Sequence, residues 1–127
     1  MPLAPEQLEA RVRRFYEEVF INGNLDVFDE LVHPDFYSHT SPNETTRAST
    51  RAWFGRIIAE YPVVAGGPQD VVVQGNTIAL RQEYVLRAAI DSEPTIARTM
   101  DFYKATEDGL LKEHWDMVDL VAGELPE

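Results

Sequence analysis

The spacing of hydrophobic residues changes along this sequence, from a helical period in the first half to a period of two in the second. Up to Tyr61, apolar side chains recur every three or four positions, which is typical of amphipathic helices. From Gln69 onward they alternate with polar residues, as in strands with one buried face. A helical half followed by a strand-rich half predicts an α+β fold, and 127 residues suffice for a single domain, 1–127, with one core.

Three helices and a short strand are predicted in the first half. The helices span Pro5–Ile21, a short segment that ends before Pro34, and a segment from Thr45 or Thr46 to Pro62. Between the second and third helices, Asp35–Thr40 is expected to form a strand that ends in a Ser41-Pro42-Asn43 turn.

Four strands, three of them long, are predicted in the second half, after a turn at Gly66-Gly67-Pro68. They span Val71–Gln74, Thr77–Ile90, Thr95–Thr106 and Leu110–Val121, with turns at Gly75-Asn76, Asp91–Pro94 and Asp108-Gly109. Long strands joined by short turns form an antiparallel meander, and a sheet of this size curls. We therefore expect the sheet to wrap around the helices and enclose a pocket.

Polar residues face one another across the last predicted hairpin. If Asp108-Gly109 is a two-residue turn, Tyr103 lies opposite His114 and Asp101 lies opposite Asp116, with all these side chains on one face. Two facing carboxylates repel, so one of them is expected to hold a proton near neutral pH. A histidine beside them could transfer that proton.

A three-residue loop with a glycine bulge is the alternative. It pairs Asp101 with Trp115 and moves His114 and Asp116 to the other face of the sheet. Either aspartate could also face solvent or pair with an arginine, and the candidates are Arg81, Arg87 and Arg98.

Composition and motif content argue against several classes of function. There is no cysteine, the three histidines lack close ligand spacing, and neither a Gly-rich phosphate loop nor a G-x-S-x-G element occurs, so we expect no metal site. A net charge of −11 disfavours nucleic acid and anionic membranes as partners. Without a signal peptide or a long apolar run, the sequence predicts a cytoplasmic protein.

Motifs spaced over nearly the whole chain carry a family resemblance. They are Phe15–Phe20 followed by Gly23–Asp26, Leu31–Phe36 followed by His39, Asp101–Lys104, and Asp108–Asp116. In this order they resemble the SnoaL-like polyketide cyclases of the nuclear transport factor 2-like superfamily. The resemblance implies a cone-shaped α+β fold, in which three N-terminal helices pack on a curved, mainly antiparallel sheet around a pocket, and a reaction without a cofactor.

The resemblance also implies roles for particular residues. Asp116 matches the acidic residue that looks like the general acid/base of the cyclases, and Asp101 matches an acid that donates a hydrogen bond to an enolate in the ketosteroid isomerases. His39 falls where those isomerases place their general base, and Tyr16 lies near their helical tyrosine donor. Arg98 and Asp101 match the Asp-Arg-Asp arrangement of epoxide hydrolases only in part, because residues three apart on a strand point to opposite faces.

The resulting hypothesis is a cofactor-independent enzyme that moves a proton next to a carbonyl of a small apolar substrate, in an aldol-type cyclisation or an isomerisation. The catalytic candidates are Asp116, His39, Asp101 and His114, and the substrate-binding candidates are Tyr16, Trp53, Tyr103, Phe36, Tyr84 and Met100. The alternatives are a non-catalytic binding or dimerisation module and an epoxide hydrolase. A homodimer is expected through an apolar sheet face that includes Val72, Ile78, Leu80, Leu86 and Ile96.

Overall fold

Helices pack against a five-stranded sheet whose first strand lies between the second and third α-helices in the chain, in a computed structural model that describes residues 3–39 and 46–125. The elements are α1 (Pro5–Phe15), a π-helix (Tyr16–Ile21), α2 (Leu25–Leu31), β1 (Val32–Ser38), α3 (Arg47–Glu60), β2 (Val63–Gln74), β3 (Thr77–Leu86), β4 (Thr95–Ala105) and β5 (Leu111–Ala122). The predicted Ser41-Pro42-Asn43 turn lies outside the described residues. The predicted α+β class is confirmed.

The first predicted helix has the expected span but two geometries. After Phe15 the backbone continues as a π-helix up to Ile21, and Gly23 follows with a φ of +75°. Tyr16 is the first residue of the π-helix, a geometry often associated with functional sites. Its side chain is buried together with those of Phe15 and Val19, so this segment faces the sheet.

The second helix ends before Pro34, as predicted, and its last residue is Leu31, because Val32 already belongs to β1. A residue before proline is pushed towards extended backbone, and Pro34 therefore favours a strand at His33 rather than a further helical turn. β1 runs parallel to β5. The strand predicted at Asp35–Thr40 thus begins three residues earlier in the structure.

The sheet has the strand order β1-β5-β4-β3-β2, and the pairs other than β1–β5 are antiparallel. The turn predicted at Gly66-Gly67-Pro68 is wrong, since these residues lie inside β2. Register shifts flank them, and Gly66, with a φ of +102°, lies against the backbone of Glu83. The glycines therefore form an irregularity within a strand instead of ending it.

The last hairpin combines both predicted registers. The two-residue turn is wrong: the amide of Gly109 donates to the carbonyl of Thr106 at 2.9 Å, and Ala105 pairs with Leu111. The next residue of β4, Lys104, pairs with Glu113, so Lys112 is an extra residue on β5 between these two pairs. The structure consequently confirms the predicted pairs, which are Tyr103 with His114 and Asp101 with Asp116.

The core lies between the helices and the inner face of the sheet. On β3 every second residue is buried, and these residues are Ile78, Leu80, Gln82, Tyr84 and Leu86. The prediction that Ile78, Leu80 and Leu86 form an exposed dimer patch is therefore wrong, because they belong to the inward phase of the alternation. The outer face instead exposes Val72, Met100, Phe102 and Met117.

Candidate active site

A polar cluster is buried on the inner face of the sheet, with Asp101 of β4 and His114 of β5 at its centre. Asp101 is 6% exposed and His114 is 8% exposed. Nε2 of His114 lies 2.8 Å from Oδ1 of Asp101. The two residues are neighbours because Asp101 pairs with Asp116, and His114 precedes Asp116 by two positions on the same face.

Hydrogen-bond donors surround the carboxylate of Asp101. Oδ2 accepts from the hydroxyl of Thr99 at 2.6 Å and from Nε2 of Gln82 at 2.8 Å. Oδ1 faces His114 and the hydroxyl of Tyr16, which lies 3.4 Å away. A buried acid needs such partners, so Asp101 is built to accept hydrogen bonds.

His114 is engaged at both ring nitrogens. Nδ1 lies 3.0 Å from Oγ of Ser38, whose backbone pairs with His114 across the parallel β1–β5 contact. The imidazole ring stacks on Tyr103 with centroids 4.3 Å apart, and the ring of Phe36 lies 6.4 Å away. These contacts fix the ring plane and orientation.

Asp116 is more exposed than Asp101 and His114. It is partly buried, whereas Asp101 and His114 are buried. One carboxylate oxygen of each aspartate and one ring nitrogen of His114 lie within 4.8 Å of one another. One nitrogen and two oxygen donors suit a divalent metal as well as proton transfer. The expectation of no metal site stays a prediction.

The hydroxyl groups of Tyr16 and Tyr103 are hydrogen-bonded to each other beside Asp101. Burial raises the pKa of both tyrosines well above 10.0, and the negative charge of Asp101 raises it further. Both phenols therefore stay neutral and can act as hydrogen-bond donors. Tyr84 is also buried, and its hydroxyl donates to Oε1 of Gln82.

His39 lies on the outer face of the sheet, so the expectation that it joins the other catalytic candidates is corrected. Its Nε2 is 2.8 Å from Oε2 of Glu113, and its ring stacks on Trp115 with centroids 4.7 Å apart. The reason is alternation: Ser38 faces inward beside His114, and the next residue points to the other side.

Met100 is also on the outer face, 61% exposed and opposite Met117, so its assignment to the pocket wall is corrected. Arg98, two residues before Met100 on β4, is exposed on the same outer face and lies opposite Asp119. Trp53 is partly buried at the edge of the core, with its ring 5.6 Å from Phe54.

The sequence interpretation missed three polar members of the cluster, namely Ser38, Gln82 and Thr99. A signal was present for Gln82, which occupies an inward position between Leu80 and Tyr84 on a strand with period-two alternation. A polar residue in such a position is buried and therefore needs a partner.

The structure resembles solved proteins over most of its length. IdmH from Streptomyces antibioticus, described as a candidate polyketide cyclase, is 22% identical with a TM-score of 0.73, and the match covers 92% of this chain and 93% of that one. A SnoaL-like protein from Jannaschia sp. CCS1 is 17% identical with a TM-score of 0.76, covering 94% and 91%. An LEH-like epoxide hydrolase from M. tuberculosis is 13% identical with a TM-score of 0.72, covering 91% and 84%. These likenesses establish the fold.

No curated protein matches the sequence at a significant level. Within the part of the chain that the structure describes, no helix is long and apolar enough to cross a membrane. The model of the SnoaL-like domain matches residues 12–114, which is most of the sequence and includes Asp101 and His114. The chain therefore belongs to the SnoaL-like domain family.

Proposed function

We propose that this protein is a cofactor-independent enzyme that transfers a proton at the carbon next to a carbonyl, as in aldol-type cyclisation or isomerisation. The observation that carries the proposal is the partly buried residue Asp116 beside the buried Asp101–His114 pair. An accessible base next to an ordered polar cluster is the arrangement that general acid–base catalysis requires.

In the proposed reaction, Asp116 takes the proton from the carbon atom, and the electrons of the C–H bond move onto the carbonyl oxygen. In cyclisation the enolate attacks a second carbonyl carbon, whose oxygen then takes the proton from Asp116; in isomerisation Asp116 returns the proton to another carbon. Tyr16 and Tyr103 are the proposed donors to the enolate oxygen, because their raised pKa keeps them protonated. This reassigns the donor role that the family resemblance implies for Asp101, whose oxygens already accept hydrogen bonds.

The proposed substrate is a small, neutral carbonyl compound with an apolar body. Two carboxylates in the cluster disfavour an anionic substrate by like-charge repulsion. The aromatic rings of Phe36 and Tyr84 lie close to the cluster and provide apolar surface. Trp53 is proposed to contribute from the edge of the core.

Replacing Asp116 tests the proposal. Asp116→Asn removes the base while keeping the side-chain shape, so we expect proton transfer to fall by about 100-fold or more. The measurement is incorporation of solvent deuterium next to the carbonyl, followed by NMR for a panel of neutral ketones such as tetralone and cyclohexenone.

The matched control is Asp119→Asn, the same change at an exposed position of the same strand, and it should keep wild-type exchange. Circular dichroism checks that both variants are folded. Equal exchange by Asp116→Asn and the wild type, on a ketone that the wild type accelerates, would contradict the proposal.

Two alternatives from the sequence interpretation separate in the same experiment. A non-catalytic binding module is favoured if a ketone binds tightly and no exchange is accelerated. Epoxide hydrolysis needs a basic group beside the paired acids, and Arg98, the residue considered for it, lies on the outer face. We therefore favour proton transfer next to a carbonyl.

A further inference from the structure

Gln82 is a buried amide whose two ends contact different groups of the cluster. It is 1% exposed and lies on the inner face of β3. Its Nε2 is 2.8 Å from Oδ2 of Asp101 and 3.4 Å from the hydroxyl of Thr99. Its Oε1 accepts a hydrogen bond from the hydroxyl of Tyr84.

Tyr84 determines which end of the Gln82 amide faces Asp101. Burial and the nearby charge of Asp101 raise the pKa of Tyr84, so its hydroxyl keeps the proton that it donates to the amide oxygen. The amide nitrogen therefore points to Asp101, and an NH₂ group can only donate. With Thr99 as a second donor, Oδ2 of Asp101 is occupied as an acceptor.

The contact between Asp101 and His114 has two possible arrangements, which differ by one proton. In one, Nε2–H of His114 donates to the Asp101 carboxylate, and Nδ1 accepts from Ser38. In the other, one more proton has been taken up from solvent, so that protonated Asp101 donates to Nε2 while Nδ1–H donates to Oγ of Ser38. Donors on Oδ2 stabilise the carboxylate and so favour the first arrangement.

We infer that Gln82, held in one orientation by Tyr84, is a positioning residue that keeps the shared proton on Nε2 of His114. Asp101 then remains an acceptor and holds the imidazole in one tautomer. The part of this inference that concerns catalysis rests on the proposed function. In that reaction the fixed pair leaves Asp116 as the acid that exchanges protons with the substrate.

The tautomer of His114 can be observed without any substrate. Histidine labelled with ¹⁵N reports on both ring nitrogens by NMR, and the His114→Asn variant identifies the signals of this residue. At pH 8 we expect a protonated Nε2 and an unprotonated Nδ1 in the wild type. A wild-type proton on Nδ1, or on both nitrogens, would overturn the inference.

Gln82→Met keeps the length of the side chain and removes the donor, so a substantial population that has taken up the extra proton from solvent, seen as Nδ1–H, is expected. The matched control is Gln74→Met, at an exposed position of β2, and it should keep the wild-type tautomer. An unchanged tautomer in folded Gln82→Met would show that Gln82 does not hold the proton.

Tyr84→Phe provides a second variant that preserves the core ring if Gln82→Met fails to fold. It removes the hydroxyl that orients the amide, so a partial shift towards Nδ1–H is expected, and an unchanged tautomer would count against the role of Tyr84.

On a ketone that the wild type turns over, Gln82→Met should lower kcat about 10-fold and leave KM unchanged.

The outcomes separate this inference from the proposed function. If Asp116→Asn stays active while Gln82→Met changes the tautomer, the proposed reaction is wrong and the positioning role stands. If Asp116→Asn loses activity while Gln82→Met keeps both tautomer and kcat, the proposed reaction stands and the positioning role is wrong.

Discussion

Tyrosine hydroxyls make the stability of this protein depend on alkaline pH. Tyr16, Tyr84 and Tyr103 are buried, and burial together with the charge of Asp101 raises the pKa of each above 10.0. In the unfolded chain they ionise near their ordinary pKa, while in the folded chain they keep their protons. The unfolded state is therefore favoured progressively as the pH rises above 10, and this stabilisation is fully present below that pH.

The variant Tyr84→Phe tests this dependence at one residue. Between pH 10 and 11 we expect the wild type to lose about 1 kcal/mol more free energy of unfolding than the variant, because one buried phenol no longer contributes. The measurement is urea unfolding at several pH values. Tyr37→Phe, at a position 48% exposed, is the control and should lose as much stability as the wild type. The same loss in Tyr84→Phe would contradict the assignment.

The positions of single residues could be predicted from the sequence where strand alternation alone decides which face of the sheet a side chain occupies. The partner of Asp101 could be restricted in advance to Asp116 or Trp115, because only the offset of one hairpin was open. His39 could not be placed, because the face on which a strand end lies depends on which neighbour pairs with it. Met100 could have been placed, because alternation puts it on the face opposite to its neighbour Asp101. The role of Gln82 depends on the direction of an amide, which three-dimensional contacts set.

Among the elements, β2 shows how glycine allows two strands to approach. A Cβ atom at Gly66 would lie 2.1 Å from the carbonyl oxygen of Glu83 on β3, so a side chain there would force the two strands apart. Gly75, in the turn that follows β2, also has a positive φ, of +60°, but nothing lies within 4 Å of its Cβ position.

These two glycines form a matched pair for mutation. Gly75→Ala pays only the cost of left-handed backbone, about 1 kcal/mol of stability. Gly66→Ala adds a backbone collision, and we expect a loss of about 3 kcal/mol or more. Thermal and urea unfolding measure both values. Similar losses in the two variants would mean that β2 can move away from β3 at little cost.

The hairpin between β4 and β5 has the loop of one predicted alternative and the strand pairs of the other. Gly109, with a φ of +86°, closes a three-residue loop, which by itself gives the register that separates Asp101 from Asp116. The extra residue Lys112 then restores their pairing. A bulge of this kind depends on the contacts of both strands, and no local sequence pattern marks it.

At the scale of the whole molecule, the outer face of the sheet is an apolar surface with charges at its border. Met100, Phe102 and Met117 are 61%, 41% and 79% exposed. Nearby, Arg81 contacts Asp70 at 2.9 Å and Glu83 at 3.4 Å. Because this border carries both signs of charge, a second copy related by a two-fold axis can present acids to bases, and we propose a homodimer through this face.

The variant Met117→Lys tests the proposed dimer. A charge at the centre of the apolar surface should convert a dimer into a monomer, which light scattering after size-exclusion chromatography measures at micromolar concentration. Ile90→Lys places the same charge on a residue that is 86% exposed and outside the strands, and it should leave the assembly unchanged. A wild-type monomer under these conditions would contradict the proposal.

The extra residue at Lys112 has a consequence for how this protein tolerates changes in length. Deleting it would make β5 regular, because Leu111 would be followed directly by Glu113, which already pairs with Lys104, and His114 and Asp116 would keep their partners and their face. Deleting Trp115 would instead make His114 and Asp116 neighbours in the chain, and alternation would then put them on opposite faces of the sheet. We expect related sequences to vary in length at the bulge and to keep the spacing between His114 and Asp116.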